Sequence, residues 1–223
     1  MLGLNNARNP KYSIDVSVGT NKRMRAAVDI RAGACILEER PLFKLDIALS
    51  RLYDIKSVTN EEVVPNGVKI LQIEFARADY PTKQKIIGLY HGLDLTEIAN
   101  LPLDEQAHTL LTAIIKLNAW SVIEQVDGQE HTILIMYNEL SRINNSCTPN
   151  AMISWNAVTG RGSLHALQDI TTNTEITIEY LAEPKDCFQK KTDRIAAIKE
   201  AYRFTAIVRC VLLRAIPTII ADG

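Results

Sequence analysis

Ser141-Arg142-Ile143-Asn144-Asn145-Ser146-Cys147-Thr148-Pro149-Asn150-Ala151 lies between two apolar segments and fits neither regular element. Asparagine and hydroxyl side chains compete for nearby backbone groups, and Pro149 holds Thr148 in extended conformations. Two readings follow from this chemistry. One is a tight polar turn. The other is a loop packed inside the fold that offers amide groups to a polar ligand.

The residues on either side of this run alternate in the manner of strands. Ala151–Trp155, Ser163–Leu167 and Glu175–Tyr180 are separated by turn signals at Thr159-Gly160-Arg161-Gly162 and Thr171-Thr172-Asn173. His131–Tyr137 reads as a short buried strand or turn. Near the N-terminus, residues 12–45 read as strands, among them Tyr12–Val18 and Cys35–Glu39, the latter stopping before Pro41. Residues 46–110 change to helical spacing, as in Val68-Ile70-Leu71-Ile73-Phe75 and Ile86-Ile87-Leu89-Tyr90, with breaks predicted at Pro65-Asn66-Gly67 and Tyr80-Pro81. A long helix is predicted over residues 104–124, capped by Asp104, with Leu110, Leu111, Ile114, Ile115 and Leu117 on its apolar face. A charged helix is predicted over residues 184–203. Strands at both ends with helices between them argue an α+β fold rather than repeated βαβ units.

Composition narrows the function classes. The chain has 223 residues, 25 basic and 26 acidic side chains, and a formal charge of -1, so no overall electrostatic footprint for nucleic acid exists. The N-terminus lacks a basic start followed by an apolar stretch, and the apolar tail from Phe204 to Ala221 is interrupted by Arg209, Arg214 and Pro217, so no membrane partner is expected. That tail reads as a packed helix or, alternatively, as a homodimer surface. Cys35, Cys147, Cys187 and Cys210 contain no CxxC pair, which fits a reducing compartment, cytoplasmic or nuclear. The four histidines have no metal-ligand spacing.

The central run resembles the Asn-His-Ser-Cys-x-Pro-Asn signature of SET-domain methyltransferases. Asp169–Tyr180 is similar to that family's second signature, Gly-Glu-Glu-Ile-x-x-x-Tyr, with Asn173 and Thr174 at its glycine and first glutamate. Residues 25–33 and 36–42 are similar to the opening strands. Lys116-Leu117-Asn118-Ala119-Trp120 resembles the Thr-Asn-Ala-Phe element of the SET-and-MYND type and of fungal SET proteins.

The resemblance implies a β-clip of small, mostly antiparallel sheets with a pseudoknot. The SET domain would cover residues 1–210, including a helical insertion at 46–110 and a degenerate post-SET segment at 184–210, with a tail at 211–223. It implies transfer of a methyl group from S-adenosylmethionine, most directly to a protein lysine. Tyr180 would stand at the reacting centre. Asn144 and Asn145 of the signature, Asn118, Arg23 and Phe204 would face the donor.

Two departures bear on this. Aligned on Ala27, the family's Lys-Gly-x-Gly-hydrophobic-x-Ala loop becomes Asn21–Ala27, with Lys22 and Met24 replacing both glycines and expected to crowd the donor. Of the post-SET cysteines only Cys210 remains, beside Cys147 of the signature, too few for a tetrahedral site, so no zinc is expected. Three functions therefore stay open: a protein-lysine methyltransferase, a catalytically silent binding module, and a SET scaffold reused for small-molecule methyl transfer or cyclisation.

Overall fold

A computed structural model describes residues 10–16, 22–46, 60–180, 192, 193 and 196. The predicted helix at 184–203, apart from those last three positions, and the tail, Phe204, Cys187 and Cys210 lie outside the described residues.

Among the described residues, ten strands form four small sheets. Strands β1 (Tyr12–Val16) and β2 (Lys22–Ala26) form an antiparallel pair. Strand β3 (Cys35–Glu39) lies beside β9 (Arg161–Ala166), which in turn pairs with β8 (Ala151–Asn156). Strand β4 (Phe43–Asp46) and β5 (Ala119–Val126) flank β6 (Gln129–Met136). The short strands β7 (Asn144–Asn145) and β10 (Thr177–Ile178) run parallel. Between β4 and β5 come helices α1 (Asn60–Arg77), α2 (Tyr80–Ile87), α3 (Leu95–Ala99) and α4 (Leu103–Asn118). The architecture is α+β, as the patterning implied.

Three local expectations need correction. Helix α1 runs through Pro65-Asn66-Gly67 without a break, and Val68 and Leu71, both fully buried, anchor its second half. The break expected at Tyr80-Pro81 is present, between the end of α1 at Arg77 and the start of α2 at Tyr80: Asp79 caps α2 by accepting from the Thr82 amide at 2.9 Å, and proline suits a first turn. Helix α4 begins one residue before Asp104, with Pro102 in the capping position. It ends at Asn118, and the residues expected to continue it form β5. The reason is a hairpin. Asp127 and Gly128 take φ values of 50° and 76°, the left-handed pair that a two-residue turn requires, and lock β5 onto β6 from Ala119↔Met136 to Val126↔Gln129.

Strand β6 divides the core. Ile133 and Ile135 face a cluster with Met24, Ala26, Leu140, Ile143, Leu164, Ile176 and Ile178. Leu134 and Met136 face the opposite way, into a second cluster with Val68, Leu71, Ile86, Leu111, Ile114 and Ile115. The period-two alternation of one strand thus serves both the sheets and the helices.

Candidate active site

The two polar signatures meet along β7 and β10. Asn144 pairs with Thr177 and Asn145 with Ile178, and the Ser146 amide donates to the Ile178 carbonyl at 2.8 Å. Side chains complete the joint. Asn150, 7% exposed, donates from Nδ2 to the Glu175 carbonyl at 2.8 Å and accepts at Oδ1 from the Thr177 amide at 2.9 Å. One amide thereby does the work of a strand neighbour, which explains why an asparagine follows Pro149. Asn173 adopts φ 67°, a left-handed turn that asparagine tolerates, so the signature glycine is replaced without loss of the turn.

Asn144, Asn145 and Tyr180 come together here. Asn144 donates to Glu175 Oε1 at 2.7 Å. Asn145 Oδ1 accepts from the Tyr180 amide at 2.9 Å. The Tyr180 hydroxyl donates to the Ile143 carbonyl at 2.6 Å, and its ring meets Trp120 edge-on at 6.0 Å. Tyr180 is therefore fixed at both its backbone and its hydroxyl. Beside it a cleft of about 300 Å³ is lined by Trp120, Ala151, Met152, Ile153, Ile178 and Glu179, among others. Glu179 is the single ionisable side chain among the described lining residues. Trp120, Glu175 and Glu179 were not singled out from sequence. Glu175 carried a signal as the retained glutamate of the second signature, whereas Glu179 carried none.

Asn118 sits apart from β7, at the end of α4, 4% exposed. Its Nδ2 donates to the carbonyls of Tyr90 at 2.7 Å and Ile114 at 2.8 Å, which fixes the amide's orientation. Its Oδ1 accepts no hydrogen bond among the described residues. Near Tyr90, the Gly88 carbonyl ends α2 and accepts from two cations, Arg142 Nη1 at 2.9 Å and Lys22 Nζ at 3.2 Å. Burial lowers the pKa of both side chains, and for Lys22 the charge of Arg142 lowers it further. Glu139 and Glu39 oppose the shift at Arg142.

The expected crowding by Met24 is not what the structure holds. Met24 is 0% exposed and Ala26 1% exposed, both inside the sheet core, while Arg25 pairs with Asp15 at 2.8 Å on the other face. The hydrophobic and alanine positions of the loop motif are two residues apart and share a face. Met24 and Ala26 satisfy that spacing, so the motif fits one residue upstream of the alignment on Ala27. Lys22 is drawn away toward Gly88. Arg23 lies opposite Asp15 in the β1–β2 register and half-buried, and does not join Asn144 among the described contacts. No group of three or more His, Cys, Asp or Glu among the described residues is arranged to hold a metal.

A family model for the SET domain matches residues 21–181, and the chain belongs to the SET-domain family. No curated protein matches the sequence. Among solved structures, the SET domain of LSMT bound to lysine and AdoHcy is similar at TM-score 0.52 and 12% identity, over 90% of this chain and 54% of that one. Rubisco LSMT bound to AdoMet has TM-score 0.48 and 13% identity, over 89% and 53% of the two chains. The chain thus spans about half the length of the structures it resembles. No described helix is long and apolar enough to cross a membrane.

Proposed function

We propose that the chain is an S-adenosylmethionine-dependent N-methyltransferase acting on a protein lysine, with Tyr180 at the reacting centre. The observation that carries this is the junction at Tyr180. The aromatic ring and hydroxyl are held between the asparagine-rich β7 on one side and an apolar cleft with one carboxylate on the other. An apolar cleft suits the four-carbon stem of lysine, and Trp120 and Glu179 suit its ammonium group.

The donor's chemistry fits the residues present. When bound, it supplies an electrophilic methyl group on a sulfonium. Its amino-acid end is a zwitterion, and the Asn118 side-chain Oδ1 is a buried acceptor with no donor among the described residues, a costly arrangement without a ligand. Asn144 and Asn145 would line the same side, Asn145 through its grip on the Tyr180 backbone. Arg23, on the outward face of β2, would stand at the second glycine position of the loop, and Phe204 would cover the adenine. The reaction then asks mainly for alignment at about 3–3.5 Å and for exclusion of water. Tyr180, pinned by Asn145 and Ile143, gives that alignment a rigid wall.

The test is twofold. S-adenosylhomocysteine is titrated calorimetrically, and the protein is incubated with labelled S-adenosylmethionine and lysine-containing proteins, with methyl-lysine read by mass spectrometry. Donor binding and methyl-lysine are expected. No heat at millimolar ligand would leave a binding module, and heat without protein methylation would point to a small-molecule acceptor.

A further inference from the structure

Glu39 ends β3 with its carboxylate against the backbone of the segment that precedes β7. Its Oε1 accepts from the Asn138 amide at 2.9 Å, and its Oε2 accepts from the Glu139 and Leu140 amides, each at 3.0 Å. Three successive N–H groups therefore converge on one half-buried carboxylate, as a backbone nest holds an anion. They open the 3-10 helix Leu140–Arg142, which feeds directly into β7. From there the hydrogen bonds run in series. The Leu140 carbonyl accepts from the Ile143 amide at 3.4 Å, and the Ile143 carbonyl accepts from the Tyr180 hydroxyl at 2.6 Å. Leu140 and Ile143 are both fully buried, so the turn has little room to shift except as a unit.

The charged and titratable groups around this carboxylate are Glu139, Arg142, Tyr12 and Tyr137. Glu139, in the same turn, adds a like charge and accepts from the Tyr12 hydroxyl of β1. Arg142 is held charged against its burial by Glu139 and Glu39. Tyr137, directly after β6, packs its hydroxyl against Gly162, the residue opposite Glu39 on β9. Burial pushes the Glu39 carboxyl up, the three amides oppose the rise, and the Glu139 charge adds to it, so the group protonates above its ordinary range. Protonation removes an acceptor and puts an O–H where three donors converge, which loosens the hold on the turn.

We infer that Glu39 is a positioning residue: by holding the 138–140 amides, its carboxylate fixes the Ile143 carbonyl and with it the direction of the Tyr180 hydroxyl. Its part in turnover rests on the reacting-centre role proposed above for Tyr180. Glu39 is not among the described residues that line the cleft, and it acts only through the turn. A carboxylate suits the task better than an amide or a hydroxyl, because it offers acceptors to three donors and carries no donor of its own.

The experiment uses the full chain labelled at the tyrosine ring carbon Cζ, whose chemical shift reports the hydrogen bond of the phenol. Tyr180→Phe assigns the Tyr180 signal. In the wild type that signal is expected to move in one transition as the pH is lowered from neutral, together with the Leu140 amide proton. Glu39→Gln, which turns an NH2 group toward the amides, is expected to abolish the transition and to shift the signal already at neutral pH. Glu139→Gln removes the like charge, so it is expected to keep the transition and move it to lower pH. This second variant keeps the test readable should Glu39→Gln fail to fold. A Tyr180 signal that ignores pH, or a transition that survives Glu39→Gln or vanishes in Glu139→Gln, would overturn the inference. Turnover is read separately. Glu39→Gln is expected to lower kcat about tenfold at neutral pH and to change the KM for S-adenosylmethionine less than twofold. An unchanged kcat, or a loss confined to KM, would remove Glu39 from turnover. If the Tyr180 signal follows Glu39 while the wild-type chain transfers no methyl group, the positioning stands and the reacting-centre role falls. If methyl transfer is found and the signal ignores Glu39, the reverse holds.

Discussion

At the residue scale, two side chains that the sequence placed together in function have opposite roles. Tyr180 is held by its amide and its hydroxyl at the edge of the cleft. Tyr180→Phe removes the hydrogen bond to Ile143 and leaves the ring against Trp120. It should cost about 1 kcal/mol of stability. Methyl transfer, if the proposed chemistry holds, should fall by about a hundredfold, the scale of losing one positioned group at a reacting centre, with S-adenosylhomocysteine affinity nearly unchanged. Single-turnover kinetics beside calorimetry separates the two, and unchanged turnover would remove Tyr180 from the reacting centre. Met24 is the contrasting case. Read as a loop residue facing the ligand, it would be improved by a smaller side chain. Read as a core residue, it cannot be. Met24→Ala should therefore destabilise the fold by about 2–5 kcal/mol in urea unfolding. A neutral result would mean that the burial of Met24 contributes nothing. The signal that distinguishes these readings was present in the sequence, since Met24 and Ala26 alternate with Arg23 and Arg25 as a half-buried strand does.

At the element scale, side-chain amides replace backbone pairing where the strands are too short to hold themselves. β7 and β10 have two residues each, and Asn150 supplies the contacts a third strand would give. Asn150→Ala would leave the Glu175 carbonyl and the Thr177 amide without partners. A loss of about 2–4 kcal/mol is expected, with faster hydrogen exchange at Thr177 and Ile178. Unaltered exchange there would show that β10 is held by β7 alone. A second close approach joins β9 to the turn before β7. A Cβ at Gly162 would stand 2.5 Å from the Tyr137 hydroxyl and 2.9 Å from Leu140 Cδ1, both on buried residues. Gly162→Ala should cost about 1–3 kcal/mol through displaced packing, measured as a lower urea midpoint. Elements with clean alternation and turn signals were legible from sequence: β3 matches its expected span, and β8 and β9 differ from theirs by one or two residues. β5 was not, because Trp120, Val122 and Ile123 cluster as on a helix and Ile123 is 66% exposed in the strand. The Asp127-Gly128 pair was the overlooked signal, for it specifies a hairpin regardless of the flanking pattern.

At the scale of the molecule, the site depends on two cores that share a strand. The signature residues sit on the sheet core, while Asn118, Gly88 and Tyr90 belong to the helical side. Sequence motifs revealed the first half, because a signature is a local run. They could not reveal the second, because the meeting of Lys22, Gly88 and Arg142 spans three distant segments and exists only after β2, α2 and the 140–142 turn pack. The shared strand β6 makes the halves cooperative: any loosening of Leu134 and Met136 on one face displaces Ile133 and Ile135 on the other. This coupling can be measured because both tryptophans, Trp120 and Trp155, pack against the sheet core, whereas helical circular dichroism reports the other side. Ile114→Ala opens a cavity in the helical core alone, on a residue that is 0% exposed, at a cost of about 2–5 kcal/mol. Its urea transition by tryptophan fluorescence should move to lower midpoint together with the dichroism transition, by the same amount. If the fluorescence midpoint stays at the wild-type value while the dichroism midpoint falls, the two cores unfold independently, and a ligand gripped by residues from both halves would have to bring them together on binding.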